Sequence, residues 1–107
     1  MKKYKLKKEQ IKRLIDHNQS CIASDRITVD GEKIGYMYRE NPTNEIDTGW
    51  RFFAGDEDEQ YTDNPDNFGI YELNTICNYD QEIISYLTKP FGTKLEKTDK
   101  DFKEVND

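Results

Sequence analysis

Twelve carboxylates stand between residues 40 and 82, namely Glu40, Glu45, Asp47, Asp56, Glu57, Asp58, Glu59, Asp63, Asp66, Glu72, Asp80 and Glu82, with Arg51 as the only base among them. Paired carboxylates can cleave glycosidic bonds, and carboxylates at alternate loop positions can hold calcium. Neither pattern is completed here. Asp56, Asp58 and Gln60 begin a calcium loop, but its sixth position is Tyr61, where glycine is needed, and its twelfth is Asn67, where a bidentate glutamate belongs. Divalent binding at this loop is therefore expected to be weak and adventitious. No pattern selects two of the acids as a general acid and base. His17 is the single histidine, and it lacks the ligand spacing of a zinc site and the neighbours of a Cys/His dyad. The glycines at 31, 35, 49, 55, 69 and 92 do not match a phosphate-cradling loop. The residue chemistry points to recognition, with no catalytic residues, no metal ligands and no cofactor expected.

Rings interleave these acids: Trp50, Phe52, Phe53, Tyr61, Phe68 and Tyr71, with Tyr36 and Tyr38 just upstream. Most of the set around Trp50 is expected to fill the core of a domain this polar. Rings standing among carboxylates also suit a protein interface, where aromatic anchors sit inside a polar rim. The expected partner-binding residues are Asp56, Glu57, Asp58, Glu59, Tyr61, Asp63, Asp66 and Phe68. Arg51, alone among the acids, is expected to make an internal ion pair.

The elements that position these residues must fit one compact domain, since 107 residues bury roughly two thirds of the unfolded surface and leave no room for a second core. A 36% charged, 34% hydrophobic composition borders on disorder, but seven Tyr, five Phe and one Trp supply large apolar area per side chain. The net charge of −6 is uneven: residues 1–17 carry seven bases and two acids, so the rest is more acidic than the total shows. An acidic body repels phosphate backbones and favours a basic protein partner over nucleic acid. No apolar run reaches the roughly 20 residues of a membrane span, and no signal-peptide core follows the lysines. A cytoplasmic protein is expected, with Cys21 and Cys77 as buried reduced thiols.

Along the chain, Ile11, Leu14 and Ile15 recur at helical offsets and predict a basic amphipathic helix over 8–17. Residues 21–23 read as a buried strand and 27–29 as another extended piece, followed by the Asp30-Gly31 turn. Residues 34–39 alternate as a strand, with Ile34, Tyr36 and Tyr38 on one side and Gly35, Met37 and Arg39 on the other. They should pair antiparallel with residues 49–54. Gly35 and Gly49 inside these strands leave room for neighbouring rings or backbone. Residues 56–67 form a polar loop, and Ile70, Leu73, Ile76 and Cys77 recur at offsets that favour a short helix around 71–77 over a strand. Asp80 caps a further helix that buries Ile83, Ile84 and Leu87 and stops before Pro90. Residues 93–97 and 101–105 form a closing hairpin. The fold class is α+β, an antiparallel sheet with an N-terminal helix and one or two short helices.

Four blocks carry a family resemblance: Gly35-Tyr36-Met37-Tyr38-Arg39-Glu40, the run of residues 47–57 centred on Trp50, Asn67-Phe68-Gly69-Ile70-Tyr71, and Leu73-Asn74-Thr75-Ile76. Over residues 20–95 the chain resembles a small bacterial family, first catalogued as a domain of unknown function and later classed as immunity-protein family thirty-three of the polymorphic toxin systems. The resemblance implies an α+β domain and a cytosolic protein that neutralises a cognate toxin, and it supplies no catalytic residues to carry over. The division expected is a basic helix of residues 1–19 packed on an immunity-like domain of residues 20–107. The partner is then a basic protein, a toxin domain, met by an acidic, aromatic-rich face. The competing reading is a regulatory or structural interaction module with no toxin partner.

Overall fold

The computed structural model describes residues 2–106, so positions 1 and 107 of the two expected segments lie outside the described residues. Strand β1 (Ser20–Ser24) leads into a single helical turn, α1 (Asp25–Thr28), and then into β2 (Tyr36–Arg39) and β3 (Asp47–Phe53). After a second single turn, α2 (Glu59–Thr62), come β4 (Phe68–Glu72), helix α3 (Leu73–Tyr79), β5 (Lys94–Lys97) and β6 (Phe102–Glu104). Among the described residues these strands make one sheet in the order β4-β1-β3-β2-β5-β6.

The sheet is mixed, which corrects the antiparallel expectation in one pairing. β1 runs parallel to β3, and the other four pairings are antiparallel. The β2–β3 pair and the closing β5–β6 hairpin form as expected. β3 is central and almost wholly buried, with Trp50 and Phe52 on one side and Arg51 on the other.

Helix α3 and the 3-10 turns over Gln81–Tyr86 cover one sheet face. There Trp50, Phe52, Met37, Leu95 and Cys21 pack against Leu73, Ile76, Cys77 and Ile83 in one core. Both thiols are buried and unbridged. The Asp80 carboxylate accepts from the amide of Glu82 at 3.1 Å, the cap expected for that segment. Its other oxygen accepts from the buried amide of Ile34 at 3.1 Å and ties the turn to the chain entering β2.

Three expectations change. The N-terminal helix shrinks to one 3-10 turn at Lys8–Gln10, and the following residues run without regular structure. Their apolar residues do meet the core: Leu14 and Ile15 pack against it. The hydrogen bonds that would hold them helical go instead to two asparagines of α3. Asn74 Oδ1 accepts from the amides of Leu14 (2.7 Å) and Ile15 (3.1 Å), Asn78 Oδ1 accepts from Lys12 (2.9 Å), and both side-chain amides donate to the Lys12 carbonyl. Side chains that satisfy backbone groups in this way compete directly with a helix.

Residues 27–29 are not extended. Ser24 caps α1 by accepting from the Arg26 amide at 3.1 Å, and the turn buries Ile27 against the core. Finally, Ile70 belongs to edge strand β4 and stands 75% exposed, while α3 begins only at Leu73.

Two glycines are required by close approach. A Cβ on Gly35 would lie 2.1 Å from the Ala54 carbonyl oxygen, and one on Gly49 would lie 2.1 Å from that of Glu40. Gly49 also has φ +87°, which side chains resist. No helix among the described residues is long and apolar enough to cross a membrane.

Candidate functional site

Strand alternation sends neighbouring residues of β2 and β3 to opposite faces. With Tyr36 opposite Phe53, Met37 opposite Phe52 and Tyr38 opposite Arg51, Met37 and Phe52 enter the core. Tyr36, Tyr38, Arg51 and Phe53 therefore share the face that α3 does not cover. Ile34 precedes β2 and is buried, so the expected grouping of Ile34 with Tyr36 and Tyr38 does not hold.

The rings on this open face touch in series. Centroids lie 6.0 Å apart for Tyr36 and Tyr38, 5.8 Å for Tyr38 and Phe53, 5.7 Å for Phe53 and Phe68, and 6.0 Å for Phe68 and Tyr61. Tyr38 and Phe53 are near parallel (16°), whereas Phe68 stands at 72° to Phe53 and raises a wall. The result is a half-open cup of about 670 Å³. Ile22, the rings of Tyr36, Tyr38, Phe53 and Phe68, Arg51, and Thr62 line it, and the carboxylate-bearing Glu40, Glu57 and Glu96 stand around them.

Arg51 forms the charged floor of the cup and is only 3% exposed. Its Nη1 and Nη2 donate to the two oxygens of Asp47 at 3.0 and 2.8 Å, and its Nε donates to Glu40 Oε2 at 2.6 Å. This is the internal ion pair expected of the lone base. The Arg51 fork holds the Asp47 carboxyl well below the usual carboxylate range, and the amides of Thr43 and Gly49 help through bonds of 2.8 and 2.9 Å. Asp47 in turn holds the guanidinium above its ordinary value. Burial pushes the Tyr38 phenol up, and the Glu40 charge adds to the effect.

The eight residues singled out in the sequence divide into three groups. Glu57 and Phe68 line the cup, and Tyr61 braces Phe68 edge-on. Glu57 also ties the chain leaving β3, accepting from the amides of Ala54 (2.8 Å) and Gly55 (2.9 Å). Asp56 and Asp58 have local structural partners. Arg26 donates to both oxygens of Asp56 (2.6 and 3.2 Å) and keeps that carboxyl below its ordinary value, while Asp58 caps α2 through the Tyr61 amide at 2.8 Å. Glu59, Asp63 and Asp66 are exposed on the same segment.

Tyr38, Phe53, Glu40 and Glu96 were not singled out as site residues. Phe53 was within reach of pattern reading: once Trp50 and Phe52 go inward, alternation turns Phe53 outward. Glu96 carries no such signal, because only the β2–β5 pairing brings it opposite Tyr36.

Elsewhere, burial pushes the Cys77 thiol up to about 11 and the Cys21 thiol higher than its ordinary value, so neither is a ready nucleophile. His17 is exposed, and its Nδ1 accepts from the Gln19 amide at 3.2 Å. No cluster of three or more His, Cys, Asp or Glu side chains suited to a metal forms among the described residues.

Comparison with curated proteins and with solved structures gives no match. The profile of the Immunity protein Imm33 domain, by contrast, matches residues 21–106, from β1 through β6 and without the basic N-terminal segment. That span holds both the core and the cup, and the chain therefore belongs to the Imm33 immunity-protein domain family.

Proposed function

We propose that this chain neutralises a cognate toxin in the cytoplasm by stoichiometric, non-catalytic binding, and that the open sheet face is the contact surface. The observation that carries the reading is the run of touching rings from Tyr38 to Tyr61, left uncovered on a sheet whose other face packs into the core. Rings at the centre with charges around them are the usual energetic layout of a protein interface. Beside them the segment carrying Asp56, Glu57, Asp58, Glu59, Asp63 and Asp66 makes an acidic flank that suits a basic partner. Its charges would act mainly on the rate of encounter, since exposed carboxylates steer more than they hold.

The test is a binding measurement against a toxin-like protein, sought first among the products of the neighbouring genes. The triple variant Glu59→Lys, Asp63→Lys, Asp66→Lys reverses the three flank acids whose carboxylates hold no partner among the described residues. Association should slow by about tenfold or more at low salt, with a flatter salt dependence. An unchanged rate and salt slope would remove the acidic flank from the mechanism. Absence of any toxin-like neighbour, together with capture of a non-toxin regulator, would favour the interaction-module reading instead.

A further inference from the structure

We propose that the cup on the open face is a socket for one arginine side chain of the bound partner, its guanidinium stacking on the rings of Tyr38, Phe53 and Phe68 and meeting the carboxylates of Glu40 and Glu96. The inference deepens the immunity reading and rests on it for the source of the arginine.

Charge sets the sign of the guest. Glu40, Glu57 and Glu96 line the cup, and the one base lining it, Arg51, is already neutralised from beneath by Asp47. Glu40 lines the cup, gives Oε2 to Arg51 and is half exposed. Glu96 is exposed on β5, where its backbone pairs with Tyr36 and Lys103, and its carboxylate makes no hydrogen bond or ion pair among the described residues. Lys94 stands across from Tyr38 on the same face but is not among the lining residues. An anion would meet three carboxylates without a free base. An apolar guest would strip water from those carboxylates and give nothing back.

Shape favours a planar cation. Two near-parallel rings, Tyr38 and Phe53, meet Phe68 at 72°, which makes a corner with ring surface on two sides. Guanidinium is flat, weakly hydrated and stacks on aromatic faces while donating outward to carboxylates. The fold already packs a guanidinium this way on its other side, where Arg39 lies 4.5 Å from the Phe91 ring centre and 5.8 Å from that of Trp50. The cup offers ring surface of the same kind, with Arg51 in its floor already paired to Asp47 and with three glutamates around it.

The direct test is an NMR titration of the full chain with N-acetyl-arginine-methylamide, using the citrulline analogue, which is isosteric and uncharged, as control. Ring signals of Tyr38, Phe53 and Phe68 should shift saturably with the arginine compound, and about fivefold or more weakly with citrulline. Glu96→Gln should weaken the arginine effect about threefold or more at low salt without altering the thermal melt. Equal responses to both compounds, or none, would overturn the socket. The toxin arm separates the two readings. A toxin captured equally by wild type and by the Phe53→Leu, Glu96→Gln double variant sinks the socket and leaves the immunity reading standing. Arginine-selective shifts in a protein with no toxin partner do the reverse.

Discussion

Within β3, Trp50 and Phe52 point one way and Arg51 and Phe53 the other, so one strand builds both faces of the sheet. On the packed face, rings disappear under α3 and are 0% exposed. On the open face, equally large rings stay half-buried and touch mainly each other. The same residue types thus do different work according to parity along the strand. What differs is the cover: α3 presents Leu73, Ile76 and Cys77 to one side, whereas short polar turns merely flank the other. An uncovered aromatic face retains water contact that a partner can displace, which is why the proposed contact is set there.

Substitutions on the two faces should separate cleanly. The largest effect belongs to Phe52→Ala, which empties a fully buried site and should cost about 4 kcal/mol in denaturant unfolding. Thiol labelling of Cys21 and Cys77 should accelerate with it, because both lie buried in the same core. Labelling of the variant at the wild-type rate would mean that the packed face does not act as one unit.

Next comes the charged pair beneath the cup. Arg51→Met leaves Asp47 buried without its partner and should cost about 3 kcal/mol at neutral pH. The sign of the acid response follows from Asp47, whose folded carboxyl titrates well below its unfolded value of about 4. Its contribution is complete above that unfolded value and is lost as pH falls from there toward the folded one. Asp47→Asn should therefore flatten the acid limb of a stability–pH curve below about pH 4. An acid limb unchanged by Asp47→Asn would show that other carboxylates govern acid unfolding.

Asn74→Ala tests the clasp behind the packed face. It removes the acceptor for Leu14 and Ile15 and a donor to Lys12, and should cost about 2 kcal/mol. Amide exchange should rise at Leu14 and Ile15 before it rises in the sheet. Uniform exchange throughout would mean that the N-terminal segment and the sheet open together.

The smallest stability effect is expected from Phe53→Ser on the open face, about 1.5 kcal/mol, because that ring is only partly buried whereas Phe52 is wholly so. Toxin binding should nonetheless fall by about tenfold or more, as removal of a central interface ring does. A stability loss matching that of Phe52→Ala would erase the distinction between the faces.

Much of the fold was legible where the signal is local. Asp80 before an apolar run marks a cap, the alternation around Tyr36 and Trp50 marks two paired strands, and the 98–100 turn marks the closing hairpin. Legibility failed where distant groups decide. Ile11, Leu14 and Ile15 have helical spacing, but Asn74 and Asn78, some sixty residues away, take the backbone hydrogen bonds of Lys12, Leu14 and Ile15. Ile70 fits the helical series of Leu73 and Ile76, yet pairing with Ile22 across β1 draws it into the sheet. At the cup, Phe68 and Glu57, with Tyr61 bracing Phe68, were within reach of composition, whereas Glu96 arrives only through β5.

By itself the sequence determined the acidic, aromatic character of residues 40–82, the internal pairing of Arg51, the lack of a completed catalytic or metal motif, and the family, because residue chemistry and linear spacing are written in the chain. Only the tertiary structure decided which rings are core and which are surface, which acids are spent on Arg26, Arg51 or a cap, and that three glutamates from separate segments surround one cup. Those outcomes depend on strand register and on which face α3 covers, and long-range pairing, rather than local preference, sets both.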